Sequence, residues 1–198
     1  MQELIGLIEC LADIFERLRL RYAFGGALAN NYWGIVRATQ DVDCLALIPA
    51  LAWQQLADEL TTHEFVLRDD KGRDQALTVT VIRAQAERQK YLEIWRHGIR
   101  AEIFLPVLPL QDEILRRAVA MPFQKRTILI TTAEDLILLK MAFHRTKDVI
   151  DVRGILRVRR GQLDIDYMRH WSSVMFQDDV QRKFEELLRE YEQPTGED

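Results

Sequence analysis

The segment Phe24-Gly25-Gly26, followed after fourteen residues by Asp41-Val42-Asp43, constrains this chain more than any other part of it. Tyr22 to Phe24 is a short apolar run of strand type that breaks at the two glycines. Glycine has no Cβ, so a strand ending in two of them lets the backbone and a following helix start come close to a phosphate. Side chains alternate across a strand with period two, so Asp-x-Asp on the next strand sets both carboxylates on one face. Two hard oxygen ligands beside a phosphate cradle are what a Mg²⁺-nucleotide needs. The pattern therefore asks for adjacent strands, a helix starting at the glycines, and the chemistry of nucleotidyl transfer.

The periodicity around that segment predicts a mixed sheet flanked by helices. Leu4, Ile8, Leu11, Phe15 and Leu18 fall at helical spacing and open the chain with an amphipathic helix. Ala27 to Trp33 reads as a short helix with Gly34 at its C-cap. Val36 to Ile48 reads as the strand carrying the acids, closed by Pro49, and Leu51 to Leu60 as a helix. The charged run Arg68 to Asp74 is expected to be an exposed loop. Leu77 to Ile82 alternates Thr and Val and is read as a strand. Tyr91 to Trp95 and Ile99 to Leu105 flank Arg96-His97-Gly98, the pattern of a hairpin with a glycine turn. A helix over Asp112 to Ala120 and a last strand at Thr127 to Ile130 follow.

Beyond residue 130 the texture changes. Thr131-Thr132-Ala133-Glu134 has the capping-box form, and helical patterns then continue to Tyr191, broken near Gly161 and Gln162. The polar tail Gln193 to Asp198 is expected to fray. The fold class expected is α+β, with a core over residues 1–130 and a helical region over 131–198 packed on it.

The chain has 198 residues and is 48% hydrophobic, enough to bury a core. Its net charge of −4 supplies no basic field that would draw it to nucleic acid. Cys10 and Cys44 are too few for a disulfide framework and suit a reducing cytoplasm. No signal peptide is expected from the first twenty residues and no transmembrane span from any run, so the protein is placed in the cytoplasm with no membrane partner.

Nucleotidyl transfer needs positioning and neutralised charge more than covalent help. A two-metal arrangement wants a third carboxylate besides Asp41 and Asp43. Glu102, in Arg100-Ala101-Glu102-Ile103-Phe104, is the candidate, because a charge between Ala101 and Ile103 is costly unless its face opens to a site. Glu93, across the same hairpin, competes for the role.

Gly25-Gly26, Arg37-x-Thr39-x-Asp41-x-Asp43 and a later strand acid resemble the signature of the DNA polymerase β-like nucleotidyltransferase superfamily. Within it the chain looks most like small bacterial nucleotidyltransferases related to abortive-infection and toxin–antitoxin proteins. Glu134-Asp135-Leu136…Lys140 and Lys147-Asp148…Asp151 match further elements of those proteins. The resemblance covers about residues 20 to 160. It implies a nucleotidyltransferase fold and a Mg²⁺ (or Mn²⁺) site with Asp41 and Asp43 as ligands and Glu102 helping to deprotonate an acceptor. It also implies an NTP with Gly25 and Gly26 at its triphosphate, Arg37 and Thr39 beside it, and Lys140 reaching it. One departure is that the third acid is often Asp in such proteins, where this chain has Glu102.

That reading implies an enzyme that moves an NMP from an NTP to an acceptor hydroxyl on RNA, protein or a small molecule. The alternative is an inactive protein of the same fold that binds a nucleotide or a partner, such as a cognate toxin or antitoxin. Nucleotide, acceptor and oligomeric state stay open. Asn30 and Asn31 are assigned to solvent. Lys147 and Asp151 are spaced for a helical pair. Arg153, Arg157, Arg159 and Arg160 form the only basic cluster and read as a solvated helix face in preference to an RNA contact. The histidines His63, His97, His144 and His170 have no zinc-ligand spacing.

Overall fold

The computed structural model describes residues 2–192; the tail Gln193 to Asp198, expected to fray, lies outside them. The chain divides into two compact units, Met1–Leu28 with Ala38–Thr131, and Ala29–Arg37 with Thr132–Asp198.

The first unit is built on a six-stranded mixed sheet. Its elements run α1 (Gln2–Arg17), β1 (Arg21–Phe24), the start of α2 (Gly26–Trp33), β2 (Asp41–Leu47), α3 (Trp53–Thr62), β3 (Leu67–Arg68), β4 (Asp74–Gln75) and α4 (Val79–Gln89). They continue with β5 (Tyr91–Arg96), β6 (Ile99–Phe104), α5 (Pro109–Arg117), β7 (Val119–Phe123) and β8 (Arg126–Ile130). Strand order is β5-β6-β2-β1-β8-β7, with β2 parallel to β6, β1 parallel to β8, and the other neighbours antiparallel. Helix α1 packs on β2, β6 and α3, and α5 packs on β1 and β2. This is the α+β fold expected, a mixed sheet flanked by helices.

Period two is clear on β5, β6 and the start of β2. Val42, Cys44, Ala101, Ile103, Leu92 and Ile94 point to one face and are fully buried. Their alternates, among them Asp41, Asp43, Arg100, Glu102 and Glu93, line the other face and are only partly covered. The β5–β6 turn is two residues long, with His97 at φ 49° and Gly98 at φ 78°, both signs that a type I′ hairpin requires.

Four expectations in this unit need correction. Residues 77–82 do not form a strand: Thr78 caps α4 by accepting from the Val81 N–H at 3.4 Å, and Ile82 and Ala86 bury one turn apart. The strand read over 36–48 begins only at Asp41. The helix read over 112–120 begins at Pro109, whose missing N–H suits a first turn, and ends at Arg117. Residues 119–123 are then freed to form β7 as an edge strand. Within the charged run, Arg68 and Asp74 pair across a small β3–β4 hairpin, with only 69–73 left as its turn.

The second unit is helical: α6 (Ala133–Phe143), α7 (Thr146–Val158), α8 (Ile165–Met175) and α9 (Asp178–Glu192), joined within the unit by Ala29–Arg37. The cap of α6 is Thr132, one residue later than the capping-box pattern suggests: its Oγ1 accepts from the Asp135 N–H at 3.2 Å and donates to the Asp135 carboxylate at 2.8 Å. Gly34 is not a left-handed cap; a Cβ there would stand 2.9 Å from Ile155 Cγ1, so close packing demands the glycine.

Candidate active site

The open face of β2, β6 and β5 carries three rows of side chains fixed by register. Asp41 lies opposite Arg100, and Arg100 opposite Trp95; Asp43 lies opposite Glu102, and Glu102 opposite Glu93; Leu45 lies opposite Phe104, and Phe104 opposite Tyr91. The middle row is a line of carboxylates across three adjacent strands, with Asp41 one pleat away. Strand pairing alone produces this juxtaposition, because acids at alternate positions on neighbouring strands must share a face.

Arg100 lies among these acids. Its Nη2 donates to Asp41 Oδ2 at 2.8 Å, while Nη1 stands 3.4 Å from Glu102 Oε1 and 3.8 Å from Glu93 Oε2. Burial opposes the guanidinium charge, but the bond to Asp41 and the charges of Glu102, Asp41 and Glu93 outweigh it and raise the Arg100 pKa. Burial likewise holds the Glu102 carboxyl above the usual carboxylate range; Arg100 opposes that shift, and Asp43 and Glu93 add to it. Glu93 is itself fixed, accepting from Trp95 Nε1 at 3.1 Å while its backbone N–H donates to Gln85 Oε1 at 3.2 Å. Arg68 covers the Trp95 ring with its guanidinium carbon 4.0 Å from the centroid.

The glycines sit against the acids. Gly26 has φ +53°, and a Cβ built on it would run into the Asp43 side chain, 2.7 Å from Cγ and 2.8 Å from Cβ. Gly25 is less constrained, with Thr131 Cγ2 at 3.9 Å from such a Cβ. Its N–H donates to the Asp43 carbonyl at 2.9 Å, so that group, expected at a phosphate, is used in holding β1 to β2. Thr39 Oγ1 donates to Asp41 Oδ1 at 2.8 Å and steadies that carboxylate.

The expected site residues thus fall into two groups. Gly25, Gly26, Thr39, Asp41, Asp43 and Glu102 belong to the first unit; Arg37 and Lys140 belong to the second. There Lys140 is buried, with Nζ 2.6 Å from Asp151 Oδ2 and 4.0 Å from Asp148 Oδ1, and Arg37 Nη2 donates to the same Asp151 oxygen at 3.2 Å. Asp151 therefore pairs with Lys140 and Arg37, not with Lys147. Asn30 and Asn31 do not face solvent alone: Asn30 is buried and donates to the Ile35 carbonyl at 2.9 Å, and Asn31 binds both backbone groups of Arg37. The basic cluster is partly spent within its unit, Arg159 on the Tyr32 carbonyl and the Trp33 ring, Arg160 on the Tyr191 carbonyl.

The role of Arg100 was not read from the sequence, although Arg100-x-Glu102 has the same spacing as Asp41-x-Asp43 and declares the same shared face. Among the described residues, no three His, Cys, Asp or Glu side chains stand ready-made around a metal ion, and none of the helices is long and apolar enough to cross a membrane. The donor set nevertheless fits a hard divalent cation: Asp41, Asp43 and Glu102 offer only oxygens, and Gly26 leaves the room in which Asp43 sits.

No family model and no curated protein matches this chain by sequence. Its fold does match solved structures. A nucleotidyltransferase-like antigenic protein from Paracoccidioides brasiliensis aligns over 95% of this chain and 93% of its own, with TM-score 0.51 and 14% identity. The antibiotic-resistance factor ANT(2″)-Ia aligns in its solution structure over 96% of both chains, with TM-score 0.52 and 10% identity. A crystal structure of ANT(2″)-Ia with adenylyl-2″-tobramycin aligns over 92% of this chain and 99% of its own, with TM-score 0.55 and 12% identity. The chain thus has the fold seen in nucleotidyltransferases.

Proposed function

We propose that this protein is a divalent-metal-dependent nucleotidyltransferase that moves an NMP from an NTP to an acceptor hydroxyl, on a small molecule, RNA or protein. The observation that carries the reading is the register that sets Asp43 beside Glu102 on parallel strands, with Asp41 on the same face and Gly26 closed against Asp43. The fold it shares with ANT(2″)-Ia, whose structure holds an adenylylated tobramycin, supports the same chemistry and favours a small-molecule acceptor. The buried free cysteines, Cys10 and Cys44, suit a cytoplasmic setting.

Asp41, Asp43 and Glu102 would hold Mg²⁺ or Mn²⁺. When bound, such an ion neutralises phosphate charge and makes an attacking hydroxyl more acidic. Thr39 keeps Asp41 turned toward the site through its 2.8 Å bond. The N–H groups of the first turn of α2, beginning at Gly26, would be the donors to the anionic triphosphate. Glu102 would help take the proton of the acceptor hydroxyl. The acceptor oxygen bonds to the α-phosphorus as the bond to pyrophosphate breaks, and pyrophosphate leaves with the electron pair. Arg37 and Lys140 are carried as nucleotide contacts by the sequence resemblance alone; their ion pairs with Asp151 support a bracing role.

A second reading is a non-catalytic nucleotide- or partner-binding protein, for instance half of a toxin–antitoxin pair, and Arg100 among the acids favours it. Calorimetry with all four NTPs and Mg²⁺, on wild type and an Asp41→Asn/Asp43→Asn double variant, tests the nucleotide site, and pyrophosphate release from the bound NTP separates the two readings. Metal-dependent binding lost in the variant is expected, with Asp43→Asn keeping the wild-type melting profile. Labelled transfer onto an aminoglycoside panel, but not onto total RNA, would then identify the acceptor class. NTP binding without pyrophosphate release, or no NTP binding by folded wild type, supports the second reading.

A further inference from the structure

The carboxylates on the open sheet face outnumber their cation. Arg100 bonds Asp41 at 2.8 Å and lies within 4 Å of Glu102 and Glu93, while Asp43 stands in register beside Glu102. An arginine keeps its proton across the accessible pH range, so this guanidinium leaves an acid only by moving, never by deprotonating. Asp41 is also one of the residues that would ligate a divalent cation. A Mg²⁺ or Mn²⁺ ion needs carboxylate oxygens at about 2.0–2.2 Å in a defined geometry, closer than the same oxygen can tolerate a competing guanidinium.

We infer that Arg100 is a resident counter-cation that competes with the divalent metal for Asp41 and shifts toward Glu93 when the metal binds. This rests on the metal site proposed above. The sheet supplies the alternative seat: β6 lies between β2 and β5, so Asp41 stands directly across from Arg100 on one side and Glu93 diagonally across, beside Glu102, on the other, 3.8 Å from Arg100 Nη1. The Glu93 carboxylate accepts from Trp95 Nε1 and its backbone N–H donates to Gln85, which makes it a fixed receiver. Arg100 is one-third exposed at its side chain, which gives it room to move. In the metal-free protein the guanidinium screens the repulsion among the acids; with metal bound it would pair with Glu93 and hold the surplus charge of the face. Arg100 is thus a positioning residue that sets the affinity for metal.

The test is calorimetric titration of the whole protein with Mn²⁺ alone, on wild type, Arg100→Gln, Arg68→Gln, Glu93→Gln and the Arg100→Gln/Glu93→Gln pair. Arg68 is the control for general charge, since it sits over Trp95 and pairs with Asp74 without touching the acid cluster. Arg100→Gln is expected to bind Mn²⁺ at least tenfold tighter, and Arg68→Gln within about twofold of wild type. Glu93→Gln should weaken Mn²⁺ binding several-fold in the wild-type background and much less in the Arg100→Gln background, because only a mobile arginine couples the two. Equal affinities for wild type and Arg100→Gln, or equal gains from Arg100→Gln and Arg68→Gln, would overturn the inference and leave the metal site standing. No Mn²⁺ binding by any folded variant would overturn both. Circular dichroism of each variant establishes that it is folded, and Arg100→Lys, which keeps the charge, should stay near the wild-type affinity.

Discussion

At Gly26 the restriction on side-chain size is steric before it is conformational. A methyl group there would occupy the space of the Asp43 carboxylate, and its φ of +53° would also cost about 1–2 kcal/mol for an L-residue. Gly26→Ala is therefore expected to lower the melting temperature by roughly 2–8 °C and to abolish metal-dependent NTP binding by pushing Asp43 off its position. Gly25→Ala meets only Thr131 Cγ2 at 3.9 Å and should stay within about 0.5 kcal/mol of wild type. Melting curves and calorimetry on the pair check the contrast; comparable losses at both positions would remove Gly26 from its special role. The sequence shows the two glycines and the two aspartates but not which glycine touches which acid, because that depends on a backbone angle. It likewise shows Arg100 next to Glu102 in alternation without revealing that its guanidinium spans to Asp41, since cross-strand register is set by tertiary pairing.

Elements were legible where one period dominates. The β5–β6 hairpin, with its His97-Gly98 turn, and the amphipathic α1 follow from pattern alone. Residues 77–82 misled because their Thr-Val alternation imitates a strand, whereas Thr78 acts as a cap and the continuation Ala84-Gln85-Ala86-Glu87 is helix-forming. Helix α6 hides a different feature: Lys140 lies among apolar neighbours and looks like a surface lysine that folds back, yet it is buried on Asp151, which also holds Arg37. Removing one member of a buried ion pair strands the other, at about 3–5 kcal/mol. Lys140→Met should thus cost about 3 kcal/mol in urea unfolding, and Lys140→Met/Asp151→Leu should recover part of it. A Lys140→Met protein of wild-type stability that has lost NTP affinity would instead assign Lys140 to the nucleotide.

On the scale of the whole molecule, the sequence runs through the two units in an order its composition does not disclose. The change of texture after residue 130 marks where helices take over, but the second unit also includes Ala29–Arg37, from the early part of the chain. Its contacts there are specific. Gly34 packs on Ile155 with no room for a Cβ, and Gly154 faces Ile35 at 3.3 Å by the same measure. Arg159 donates to the Tyr32 carbonyl at 3.1 Å and covers the Trp33 ring, and Arg37 closes the network at Asp151. Two close-packed glycines on facing segments are a local requirement that no hydrophobic period encodes, which is why the segment reads simply as the end of a helix and a loop. A fragment spanning residues 132–198 lacks these partners and should melt early and broadly by circular dichroism. A peptide of residues 29–37 added in excess should raise that melting temperature in a concentration-dependent way, as any ligand of the folded form does. The same peptide with Gly34→Leu, which would collide with Ile155, should give no shift. A sharp transition for the fragment alone, indifferent to either peptide, would mean that the four helices form their core without the borrowed segment.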